Sequence, residues 1–130
     1  MTVTWLLDTH VLLWALATPE RLPAAVRQPL EDTGQPVAYS AVSIWEIAIK
    51  AAIGRVDFVA NAGLVADHAI KLGWRELPVS ACHAARVAHL PPIHNDPFDR
   101  LLVAQAQVTG YTLITADQTV ANYPGSIRLI

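Results

Sequence analysis

Residues 3–16 read VTWLLDTHVLLWAL. The stretch opens as a short β-type run, ends at Asp8, and resumes as an apolar helical pattern through Leu16. A strand that passes through one acid straight into a helix is the first half of a βαβ unit, and repetition of that unit builds a parallel sheet.

The rest of the chain repeats the alternation. TPERLP (18–23) punctuates the first helix, and residues 24–32 read as a second. QPVAYS (35–40) reads as a strand running into SIWEIAIKAAIG (43–54), a helix with Ser43 at its start and Gly54 at its end. Residues 57–74 carry a helix from about residue 60, ended near Gly73. RELPVS (75–80) fits a strand, and ACHAARVAHL (81–90) a helix stopped before Pro91. A helix over 97–109 ends at Gly110; YTLIT (111–115) is a buried strand, ADQTVANY a short helix, and SIRLI (126–130) a last strand. This order predicts a three-layer α/β/α sandwich around a central parallel sheet, with right-handed crossovers, as one domain over 1–130. Sites in such sheets form beyond the carboxyl ends of the strands, at a topological switch point. Asp8 and Asp117 stand at that end of their predicted strands.

Composition narrows the function classes. The 130 residues suffice for one hydrophobic core, and 15% are charged, against roughly 25% in average globular chains. The apolar excess has two readings: a well-buried core, or a surface partly covered by another subunit. No run approaches the ~18 apolar residues of a membrane span, and the start lacks a basic, signal-like region. Cys82 is the only cysteine, which excludes an intrachain disulfide framework and suits a reducing cytoplasm. A net charge of −2 is no footprint for bulk electrostatic binding of nucleic acid, so any such role needs a local basic patch or metal ions.

Four acids carry the candidate chemistry, and each also has a structural reading. Asp8 either caps the following helix or ligates metal at the sheet edge, with the Thr9 hydroxyl beside it. Glu46 fits a capping box with Ser43, yet its helix is delivered beside Asp8 by the preceding strand. In HNDPFDRLLVAQA (94–106), Asp96 as N-cap and Pro97 at the first helical position make a good helix start. Asp96 does the capping, which leaves Asp99 as the better candidate for chemistry. Asp117 in LITAD also has a capping reading.

Together the four are more specific than any one of them. Converging carboxylates repel unless protonated or neutralised, and hard divalent ions such as Mg²⁺ or Mn²⁺ supply that neutralisation. One or two such ions suit phosphoryl transfer. Setting the four acids aside turns the net −2 into +2, and Arg100, Lys50 and Arg55 are the cations available to a nucleic-acid backbone. Lys50 and Arg55 equally fit solvated helix-end charges.

Other residues give less. The five histidines form no metal-ligand spacing with Cys82; His10 and His94 adjoin the acidic motifs and read as helix-start or groove-lining residues. The four tryptophans read as core, Trp5 above all. Helix 43–53 is apolar nearly all round, so a second face meets either intrachain helices or a partner, whether a dimer mate or another protein.

LLDTHVLLW, SAVSIWEIAIK, HNDPFDRLLVAQA and LITAD stand in the order and approximate spacing of PIN domains, and the chain most resembles the VapC-like ribonuclease toxins of toxin–antitoxin pairs. The resemblance runs from about Leu6 to Asp117. It maps the family's acids onto Asp8, Glu46, Asp99 and Asp117. It implies metal-dependent RNA cleavage, in which an ion-activated water attacks the scissile phosphate and Mg²⁺ (or Mn²⁺) is held by these four acids. Thr9, Asp96 and Thr115 then support the ligands, and Arg100 and Lys50 meet the substrate backbone. The resemblance also implies a cytoplasmic homodimer and an antitoxin that covers the active-site groove. Two other readings stay open: a non-catalytic interaction domain whose acids are all caps, and a metal-dependent phosphatase. The phosphatase is disfavoured because Asp8 is followed by Thr-His and lacks a second acid two residues on.

Overall fold

The structure is a computed structural model and describes residues 2–32 and 34–130. Met1 and Thr33, inside the expected 1–130 domain, lie outside the described residues. Five strands form one all-parallel sheet: β1 (Trp5–Leu7), β2 (Val37–Ser40), β3 (Arg75–Leu77), β4 (Thr112–Thr115) and β5 (Ile127–Leu129), in the order β3-β2-β1-β4-β5. The helices are α1 (Thr9–Ala17), α2 (Ala24–Glu31), α3 (Ala41–Ala52), α4 (Ala62–Lys71), α5 (Ala81–Arg86), α6 (Pro97–Thr109) and α7 (Gln118–Ala121). Short 3-10 turns at Pro19–Arg21, Val56–Phe58 and Val87–His89 complete them.

The central strands alternate between two cores, as parallel strands covered on both sides must. Leu6, Ala38 and Leu113 pack on one face with Leu102, Val103 and Ala106 of α6. Leu7, Val37, Tyr39 and Ile114 pack on the other with Val11 and Leu12 of α1 and Val26 of α2. The predicted three-layer sandwich is therefore the observed one. Strand order reverses at β1: the chain steps outward through β2 and β3, then returns to add β4 and β5 on the opposite side. The crevice between the carboxyl ends of β1 and β4 is the switch point.

Helix α6 spans its predicted residues because its ends are chemically specified. The Asp96 carboxylate accepts from the Phe98 and Asp99 amides, Pro97 occupies the first position, and Gly110 closes the helix at φ +76°.

Three expectations change. Helix α3 begins at Ala41, capped by Ser40, so Ser43 lies inside the helix and no Ser43–Glu46 capping box forms. Segment 81–90 is α5 followed by a 3-10 turn. Trp45 is 59% exposed, outside the core expected of it, and Trp5 is only half-buried. Trp45, Ile49 and Ile53 share one α3 face because residues four apart align on a helix, and all three are exposed.

Candidate active site

Asp8 is placed by the end of β1 and the start of α1. Its Oδ1 accepts the Val11 amide at 2.9 Å and its Oδ2 accepts the Thr115 hydroxyl at 2.5 Å. The first bond is the cap foreseen for Asp8, and the second ties the end of β1 to the end of β4 across the switch point. Burial pushes the Asp8 carboxyl above its ordinary range, while the Thr115 hydroxyl and Val11 amide oppose the shift.

Glu46 is buried and has no cap to serve. Thr9 Oγ1 lies 2.5 Å from Glu46 Oε1 and 3.0 Å from Ser43 Oγ, tying the start of α1 to α3. Lys50 Nζ donates to Glu46 Oε2 at 2.5 Å and stands 3.8 Å from Asp96 Oδ2. It also lies over the rings of Phe58 and Phe98, at 4.8 and 5.5 Å. Lys50 is thus a half-buried counter-charge built into the acid cluster.

Asp99 sits in the first turn of α6, and its carboxylate meets His94 Nε2 at 3.0 Å. Burial, followed by the charges of Asp96, Glu46 and Asp8, raises its carboxyl to about 7; His94 acts in the opposite direction. Asp99 therefore feels both Asp8 and Glu46, which places three of the four acids in one electrostatic field.

Asp117 follows β4. Its amide donates to Thr115 Oγ1 at 3.0 Å, and its exposed carboxylate accepts the Thr119 amide at 2.8 Å. Ligand atoms of His94, Asp99 and Asp117 lie within 4.8 Å of one another. Thr9 bonds Glu46, Thr115 bonds Asp8, and Asp96 caps the helix that carries Asp99.

Arg100 has a different occupation from the substrate contact anticipated for it. Its guanidinium donates to the carbonyls of Val87, Pro91 and His94 and to Tyr123 Oη. His10 pairs with Asp57 at 3.4 Å and stacks edge-on against Phe58. Sequence reading did not single out Ser43 as a site residue, or Tyr123 at all. Each acts through a contact to a residue more than 25 positions away, which no local pattern reports.

The acids fit a divalent cation by their own chemistry. Donor atoms of Asp99 and Asp117 lie together with His94, and Asp8 and Glu46 bear on Asp99 through their charge. Burial and these acids raise the Asp99 carboxyl, and a lysine neutralises Glu46.

Comparison with known proteins identifies the family and the fold. The PIN domain family model matches residues 5–125. Ribonuclease VapC22 of Mycobacterium tuberculosis is 31% identical over 125 residues, covering 92% of each chain. Among solved structures, VapBC2 from Rickettsia felis, bound to a DNA fragment from its promoter, superposes with TM-score 0.70 at 14% identity over 98% of both chains. DNA-bound VapBC from Salmonella typhimurium gives 0.68 at 18% identity, also over 98% of both. At those identities the two structures establish the fold alone. The chain belongs to the PIN-domain family, within its VapC-like group.

Proposed function

We propose that the protein is a divalent-metal-dependent endoribonuclease, the toxin of a toxin–antitoxin pair acting in the cytoplasm. The observation that carries the reading is Asp99, a half-buried carboxyl raised to about 7 by burial, by Asp96 of its own segment, and by Glu46 and Asp8 from two others. Glu46 and Asp99 cap nothing, which counts against the reading in which every acid is a cap, while Asp8, Asp96 and Asp117 do cap.

Asp8, Glu46, Asp99 and Asp117 would hold Mg²⁺ or Mn²⁺. When bound, such an ion supplies positive charge that activates water and stabilises charge on the scissile phosphate. The chain's own residues do the rest. Thr9 and Thr115 fix the rotamers of Glu46 and Asp8, and Asp96 orients the first turn of α6 that carries Asp99. Lys50 holds Glu46 when no ion does, and its ammonium is a cation beside the acids for an RNA phosphate entering the site. Arg100 serves the same end indirectly by holding the segment that leads into α6.

Supporting an antitoxin partner are the VapBC complexes among the structural relatives and the exposed Trp45, Ile49 and Ile53. Trp45 packs edge-on against Phe98 at 5.1 Å, and Phe98 borders Lys50, so this face is continuous with the acids. An antitoxin seated there covers the site. A homodimer is proposed as the form that carries it.

The test is incubation of antitoxin-free protein with total RNA, with Mg²⁺ or Mn²⁺ and with chelator. Metal-dependent cleavage, lost in Asp8→Asn and Asp99→Asn with the fold retained, is the expected result. Cleavage that survives chelation overturns the mechanism, and no cleavage under any condition overturns the function.

A further inference from the structure

We infer that His94 is itself a metal ligand, which with Asp99 and Asp117 makes a mixed nitrogen–oxygen subsite that selects Mn²⁺ over Mg²⁺. The inference rests on the cation-binding part of the function proposed above and adds a ligand outside the four acids.

The imidazole is presented from a fixed backbone. The His94 amide donates to Tyr123 Oη at 2.8 Å, and its carbonyl accepts from Tyr123 Oη at 3.2 Å and from Arg100 Nη1 at 3.4 Å. Tyr123 is itself buried, and Arg100 also holds Pro91 and Val87, so the segment before α6 is tied down on both sides of the histidine. This is an extensive framework for a residue with no other assigned task.

The donor separations suit an ion. Ligands at adjacent corners of an octahedron with bonds near 2.1 Å lie about 3 Å apart, and opposite ligands about 4.2 Å. His94 Nε2 and Asp99 Oδ2 are 3.0 Å apart, and the three donors fall within 4.8 Å of one another. Asp99 makes no other side-chain bond among the described residues, so an ion between the two displaces only that contact. Ligation needs the Nε2 lone pair, hence the tautomer with its proton on Nδ1.

Nitrogen changes the selectivity. Mg²⁺ dehydrates reluctantly and takes oxygen ligands, whereas imidazole suits first-row transition ions. A purely carboxylate site discriminates less between Mg²⁺ and Mn²⁺, and exchanging one oxygen donor for His94 tilts it to Mn²⁺.

The experiment is titration of RNA-free, partner-free protein with Mn²⁺ and separately with Mg²⁺, together with pulsed EPR of the bound Mn²⁺. Wild type is expected to bind Mn²⁺ more tightly and to show nitrogen coupling. His94→Asn is expected to lose that coupling and at least about tenfold in Mn²⁺ affinity, with a smaller change for Mg²⁺. His94→Gln is expected to behave alike, and the wild-type spectrum stands whether or not either variant folds. Bound Mn²⁺ without nitrogen coupling, coupling that persists in His94→Asn, or an unchanged Mn²⁺/Mg²⁺ ratio overturns the inference and leaves the acid site intact. Failure of wild type to bind either ion overturns the metal site as a whole.

Discussion

At Asp99 a single carboxyl links stability to function. Burial and the charges of Asp96, Glu46 and Asp8 raise it to about 7 in the folded chain, against roughly 3.9 when unfolded. The folded state therefore holds this proton more tightly. The stability it contributes is complete below about pH 4 and is lost as pH rises through about 7. Asp99→Asn removes that loss: metal-free protein at pH 8 is expected to melt higher than wild type by on the order of 5 °C, with no cleavage. Thermal unfolding at pH 5 and pH 8 checks this, and a variant that melts lower at pH 8 contradicts it. Protons also compete with a cation at Asp99, so metal affinity falls as pH drops below about 7. Lys50 gives the complementary case. Lys50→Met leaves Glu46 buried without its counter-charge, a loss of about 3 kcal/mol in metal-free protein. A divalent ion is expected to restore most of it, as measured by denaturant unfolding with and without Mn²⁺.

Helix ends and the segments before them carry the site, and their chemistry divides by range. Asp96, Pro97 and Gly110 specify α6 within its own sequence, so its residues were legible. The start of α3 was read three residues late, because the serines at 40 and 43 both suit a cap and only the exit of β2 selects Ser40. That shift is what frees Glu46. Between α5 and α6 the backbone is held by Arg100 and Tyr123 through donations to carbonyls. Tyr123→Phe deprives the His94 amide and the Arg100 guanidinium of a shared partner, and is expected to cost about 1–3 kcal/mol. It should lower catalytic rate more than the stability loss explains, because Asp99 loses the ordered imidazole beside it. Comparing cleavage at a temperature where both proteins are fully folded isolates that effect.

Across the whole molecule, two edges of the design meet at one crevice. The reversal of strand order at β1 brings Asp8 against Thr115, 107 residues away in sequence, and Thr9 against Glu46, 37 away. The face bearing Trp45, Ile49 and Ile53 runs from this crevice outward and stays exposed apart from the edge-on contact of Trp45 with Phe98, so part of the apolar excess lies on the surface of this chain. Replacing Ile53, 70% exposed, by Asp is expected to leave melting temperature and Mn²⁺ binding unchanged and to weaken antitoxin binding at least tenfold, since rim-exposed folding contacts are few while a desolvated partner contact is large. Calorimetry with the cognate antitoxin reads this directly, and unchanged affinity removes that face from the interface.

By itself the sequence determined the alternation of strands and helices, the parallel sheet, and the helix starts at Asp8, Asp96 and Asp117. Those features are set by hydrophobic period and by capping, which act within a few residues. Tertiary structure alone decided that Asp8 both caps and crosses the switch point, that Glu46 is neutralised by Lys50, that Arg100 holds backbone, and that His94 joins Asp99 and Asp117. Each of these depends on which strands neighbour which, and strand order is a property of the packed sheet that no local stretch of chain encodes.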